Sequence, residues 1–334
     1  MALGHHYRQE VGGGVASTPA LYAEADRVPE AWEASDENGF YYARRDALAA
    51  LLEQEAFHII PCDKLNLIPL DDGPTGHGVM FKRIAQNEVS NPIRARLDSI
   101  ANVAPSNIFT SFKVQSINNA YGPVVNCDYF AVHISALPPN ISAEALVEFF
   151  RKYTLNFIDA SLGVSFSPYA QGSFTDANKF YSPFEQSIGT LVHLNLINDG
   201  TVVLSNYFRW SSPVACRFTY STISSPLDGN HPVSGNREFG IFENPGGNGY
   251  TFYTSGVDRT SDWFFGVGNI IDWGFNAADA LWTNVQDKMV QFINNNGGQA
   301  VKYAPVIARP KWNHVERYLR GEITFTLLKK LLGC

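Results

Sequence analysis

Residues 228–259 hold the densest set of side chains able to do chemistry in this chain. They read as a polar loop, a strand, the Gly-rich turn Asn244-Pro245-Gly246-Gly247-Asn248-Gly249 and a second strand, which is the pattern of a β-hairpin. With Glu243 placed opposite Tyr250, Glu238 falls opposite Ser255. The loop ahead of Arg237 then lies beside Val257, Asp258 and Arg259. This register gathers His231, Arg237, Glu238, Asp258 and Arg259 at the open end of one hairpin. Ionisable groups held together shift one another's pKa, which is one mark of a functional site. Glu238 is the first choice for a general acid or base and His231 the second, with Arg237 and Arg259 gripping an anionic or polar group. Strand alternation puts Arg237 and Glu238 on opposite faces, so only one of them can face a given pocket. The competing reading is structural: a salt-bridge network in which Asp258 or Glu238 pairs with Arg237 or Arg259 to tie down a long loop.

Aromatic residues follow the hairpin directly. Trp263, Phe264, Phe265, Trp273 and Phe275 are interspersed with Gly266, Gly268 and Gly274. Tyr253, Trp263 and Trp273 could form a stacking wall for a sugar or a lipid; the alternative is that these rings plug the end of the sheet. A Cys–His nucleophile pair would use Cys127 with His133 or His193. Cys127 and His133 share a strand face but stand ~20 Å apart along it, so they cannot pair directly. The chain has no His-x-His, His-Glu-x-x-His or Asp-rich calcium loop, and its histidines are scattered. No metal and no cofactor is therefore expected, and a metal would need ligands gathered from distant positions. Phosphate-loop, dinucleotide and nucleophile-elbow signatures are absent.

The elements that must position these groups read as α+β. Helices are expected over 44–57, 91–101, 143–159, from the cap Asn276 to the stop Gly297, over 312–319 and over 323–332. Residues 59–82 read as two short strands around a Gly-rich turn. Strands are expected over 124–136, 187–197, 201–208, 216–223 and the two arms of the 237–256 hairpin. Phe130, Val132 and Ile134 point to one side of the first of these, and Tyr129, Ala131 and His133 to the other. Consecutive hairpins imply an antiparallel sheet of six or more strands, with the 143–159 and 276–296 helices packed on one face and helical segments at both ends. Residues 1–35 are expected to be a flexible N-terminal arm, 36–105 a small α/β subdomain and 106–334 the main α+β domain.

Composition sets the outer bounds. A chain of 334 residues can bury a large core, and its 45% hydrophobic and 17% charged residues place it among globular proteins. A net charge of −7 without a basic run argues against nucleic-acid binding. Cys62, Cys127, Cys216 and Cys334 are too sparse for a disulfide scaffold, so buried thiols are expected, or at most one bridge such as Cys127–Cys216. With no run of 18 apolar residues and no secretory signal pattern, the expectation is a cytoplasmic protein or one exported by a signal-independent route. The function that follows is an effector-like, toxin-like or hydrolase-like protein acting on a small molecule. The alternatives are a glycan- or lipid-binding module, or a structural component of a virion or injection particle.

Overall fold

The computed structural model describes residues 77–101, 111–195, 199–212, 214–261, 269–324 and 327–328, with the backbone alone at 77–79, 101 and 269–274. Its centre is the hairpin of β9 (Val233–Glu243) and β10 (Tyr250–Thr260). The register pairs Tyr250 with Glu243, Ser255 with Glu238 and Gly256 with Arg237, as the turn position implied. On one side β10 pairs with β2 (Asn126–Ala136), which carries both β11 (Gln299–Lys302) and β12 (Val306–Ala308) along its outer edge. On the other side β9 pairs with β8 (Val214–Ser224), followed by β7 (Gly200–Ser211), β6 (Leu191–Asn195) and β3 (Ser165–Pro168). The short β1 (Lys113–Val114) pairs with the end of β8 that extends past β9. All ten strands of this sheet are antiparallel; β4 (Ala170–Gln171) and β5 (Phe174–Thr175) form a separate ribbon.

Seven helices appear among the described residues, and they cover both faces of the sheet, not one. Phe130, Val132, Ile134, Phe239, Ile241 and Phe252 meet α3 (Ala143–Lys152) and α6 (Asn269–Asn295) through Leu146, Phe150, Trp282, Val285 and Met289. On the reverse, Tyr129, Ala131, Tyr253 and Val257 meet α1 (His77–Ala85) and α7 (Trp312–Leu319). Leu191, Val203 and Ile223 meet α2 (Asn91–Ala101). The short α4 (Ala177–Tyr181) and α5 (Phe184–Ser187) lie in the connection to β6. The physical reason lies in the strands themselves. Both alternating residue sets of β2 and β10 are mainly apolar or small, and their charged members Asp128, Asp258 and Arg259 are buried too, so neither face is left in water.

Several boundaries differ from the sequence reading. Residues 77–82, expected to close a strand, form most of α1. The 143–159 helix stops at Lys152, where the chain tightens into a 3-10 turn at Thr154–Phe157. There Arg151, fully buried, donates to the carbonyls of Phe180 and Ser182, both at 2.6 Å. Helix α6 begins at Asn269, so Asn276 lies inside it, while Gly297 ends it with φ 84° as expected. Strands β11 and β12, with four and three residues, are too short to leave an alternating pattern. The 44–57 helix and the 1–35 arm lie outside the described residues; of the helix expected over 323–332, residues 323–324 are not helical, 327–328 are, and the rest lies outside the described residues. Cys127 and Cys216 are free, buried and on opposite faces of the sheet, which rules out a bridge between them. No helix among the described residues is long and apolar enough to cross a membrane.

Gly256 is required by close approach. A Cβ on Gly256 would stand 2.2 Å from Nη2 of Arg237, which is held against Asp128 across the sheet. Gly256→Ala is expected to push that guanidinium off its buried partner and cost on the order of 3 kcal/mol. Urea unfolding measures this; a loss under ~0.5 kcal/mol would mean the pair is dispensable.

Candidate cleft around Glu238

Alternation along β9 sends Glu238 to the α1 side of the sheet, where it is 3% exposed. Arg83, near the end of α1, donates from Nη2 to Oε1 at 2.6 Å and from Nε to Oε2 at 3.3 Å. Arg217 on β8 approaches Oε2 from Nε at 3.3 Å, and the Tyr253 hydroxyl donates to Oε1 at 2.7 Å. Two guanidinium groups thus share one carboxylate. Burial pulls the Arg217 pKa down, and the like charge of Arg83 adds to the fall. For Arg83 burial also pulls down, but the charge and hydrogen bond of Glu238 outweigh it and hold the group above its usual value. Burial, then the Glu238 charge, raise the Tyr253 hydroxyl well above its normal range and keep it a donor.

Both arginine heads reach solvent, with side-chain exposures of 35% for Arg83 and 26% for Arg217. They form the wall of a cleft of about 520 Å³. Lys82, Gln86 and Glu88 line it from the helix side, and Asn206 and Thr219 from the sheet. The Arg217 guanidinium lies 3.9 Å from the centre of the Phe208 ring, which fixes its plane. A polar network holds the floor. Asn87 donates to Ser205 at 2.9 Å and Ser221 at 3.1 Å, and Asn236 donates to the Ile84 carbonyl at 2.8 Å, closing the end of α1. Of the two lining carboxylates Glu238 is already saturated by cations, so the donor set favours an anion over a metal.

The remaining sequence candidates separate. Arg237 faces α6, clasps Asp128 through two bonds of 2.9 and 2.5 Å, and stacks 4.3 Å from the Trp282 ring centre. Asp258 is buried on that same side; burial, opposed by Arg237 and reinforced by Asp128, pushes its carboxyl up to about 7. Arg259 lies on the α1 side. It donates to the carbonyls of Gly122 at 2.7 Å and Ile117 at 2.8 Å, under the Trp312 ring. His231 is buried beyond the hairpin end, and burial lowers its pKa to about 4. The sheet therefore divides the five: Glu238 and Arg259 on one face, Arg237 and Asp258 on the other, His231 at the far edge. Tyr253 is a buried donor to Glu238, stacked on Tyr129. Trp263 and the Trp273 side chain lie outside the described residues. Cys127 is buried against the α7 side, its thiol pushed up by burial, while His133 bonds Asn244 and His193 meets Asp228, so no Cys–His pair forms.

Sequence reasoning missed Arg83 and Arg217. Arg83 was hidden because its segment read as a strand. Arg217 was findable, since it alternates with Cys216 and Phe218 of the α6 face and must share the Glu238 face. The chain matches no family model, and a comparison with curated proteins finds no significant similarity.

Asp258 makes a pH prediction. Its folded-state pKa lies above the unfolded carboxyl value, so its contribution to stability is fully present below that unfolded value and is lost as pH rises through about 7. Asp258→Asn removes this term. Its stability relative to wild type should rise by on the order of 4 kcal/mol from pH 4 to pH 8, read from urea unfolding at each pH. A difference that stays constant with pH would show that Asp258 titrates normally.

Proposed function

We propose that this protein binds a polar ligand carrying an anionic group, of the acidic-sugar class, in the cleft above Glu238. One observation carries the reading: Arg83 and Arg217 share a single buried carboxylate, and their partly exposed side chains line the cleft with Lys82 beside them. The excess positive charge is directional and fork-shaped, which suits a carboxylate or phosphate ester. Gln86, Asn206 and Thr219 offer amide and hydroxyl partners for a polyhydroxylated body. The lining is polar, which argues for a glycan-like ligand over a lipid. In titration calorimetry with glucuronate, sialate and hexose phosphates, at least one should bind. Arg217→Ala and Arg83→Ala should each weaken it by ~1.5–3 kcal/mol. Binding by neither wild type nor variants, or equal binding by all three, overturns the proposal.

A hydrolytic reading has one observation in its favour. Arg83 meets both Glu238 oxygens, so an anionic substrate that takes Arg83 would leave the carboxylate with one cation, Arg217, and the Tyr253 hydroxyl, which favours proton transfer at Glu238. Glu238→Gln separates the two: it should leave ligand affinity within about threefold of wild type if the protein only binds, and abolish turnover of a matching glycoside if it also cleaves.

A further inference from the structure

The far edge of the α1 side of the sheet holds a second cluster. His193 on β6, Asp199 just before β7 and Asp228 in the loop between β8 and β9 place one ligand atom each within 4.8 Å of one another. The Nδ1 of His193 stands 3.1 Å from Oδ2 of Asp228. Two donors bound at ~2.0–2.2 Å to one metal stand at most about 4.4 Å apart, so small side-chain rotations would bring the three atoms to bonding distance. The cluster is held from beneath. The Thr201 hydroxyl donates to Asp228 and lies 2.8 Å from the Ser225 hydroxyl, and the Asp228 amide donates to Ser225 at 3.0 Å, which fixes the carboxylate in place. Supporting bonds of this kind orient metal ligands. Asp199 is exposed and His193 partly so, leaving a path for an ion to enter.

An independent observation comes from His231. Its Nδ1 stands 2.9 Å from the Val233 carbonyl and 3.2 Å from the Val233 amide nitrogen, so Val233 occupies Nδ1 and only Nε2 is left to be met. That Nε2 is buried and has no partner. A buried imidazole nitrogen left bare is costly unless something outside the protein meets it. It packs directly on Gly200, the residue between Asp199 and Thr201: a Cβ there would come within 2.9 Å of Nε2, so the glycine is needed for the ring to reach this position. The Asp228 charge is felt at the same ring.

We propose that His193, Asp199 and Asp228 bind a divalent transition-metal cation of the zinc or manganese type, with the Nε2 of His231 at its border facing the metal's remaining coordination positions. One imidazole with two carboxylates favours such a cation over calcium, which prefers oxygen alone. Three protein ligands leave open positions, as in sites where the metal also carries water.

The test is calorimetric titration of the full chain with Zn²⁺, with Co²⁺ absorption spectra as the second readout. Wild type should take up one ion per chain that His193→Ala and Asp199→Asn each weaken at least tenfold, and Ca²⁺ should not compete. Because Asp199 is exposed, Asp199→Asn should unfold at the wild-type temperature in chelator, which separates lost ligation from lost fold. In the Co²⁺ spectra, His231→Gln should shift the d–d bands. Zn²⁺ uptake that is the same in wild type and both ligand variants would place the ion on other residues, such as His5 and His6, and overturn the proposal, as would no uptake at all.

Discussion

Two opposite charges adjacent on one central strand, in a sheet buried on both faces, set the terms for the rest of this fold. Arg237 and Glu238 cannot share a solvent face, and neither can be left unpaired in a low-dielectric interior. Each must find partners on its own side. Arg237 takes Asp128 from β2 and the Trp282 ring from α6; Glu238 takes Arg83 from α1, Arg217 from β8 and the hydroxyl of Tyr253. The requirement thus reaches into both helical layers and helps fix where α1 and α6 dock. Apolar packing alone tolerates sliding, whereas a two-bond ion pair such as Arg237–Asp128 does not.

The two neutralisations differ in sign of imbalance. On the α6 side three carboxylates, Asp128, Asp258 and Asp279, face Arg237 and Arg309. A dry cluster with one acid too many relieves itself by keeping a proton, and burial and the Asp128 charge put that proton on Asp258. The α1 side has two arginines for one carboxylate and relieves itself by opening to solvent. The excess is positive beside the cleft at Glu238 and negative around Arg237.

Much of the scaffold was readable in the chain. The Asn244–Gly249 turn set the hairpin register to the residue, and alternation then placed Arg237 and Glu238 on opposite faces. Helices α2 and α7 began and ended where their periodicity indicated. Legibility failed where tertiary partners decide. Burial of Tyr129 and Ala131 on the second face was implied by the alternating set, but nothing local announced α1 and α7 as their cover. The candidate site suffered for the same reason. Its carboxylate lies in the hairpin, yet its cations come from positions 83 and 217, far away in sequence and joined to it only by the fold. The His193, Asp199 and Asp228 set shows the same limit: its members lie 6 and 29 residues apart and meet only because β6, β7 and the loop after β8 end together.

Strand β7 shows how one element serves both regions of the α1 side. Thr201 supports Asp228 at its start, and Val203 packs against α2. Strict alternation would then send Asn206 to the α6 side. The register shift between Leu204 and Asn206 inserts one residue, so Ser205 meets Asn87 and Asn206 still reaches the cleft, while Tyr207 returns to stack on Phe184 in the other core. A regular strand would supply either the floor of the cleft or its lining, not both. The bulge is therefore a structural feature of the cleft, and amide and hydroxyl bonds that gather on Asn87 hold it.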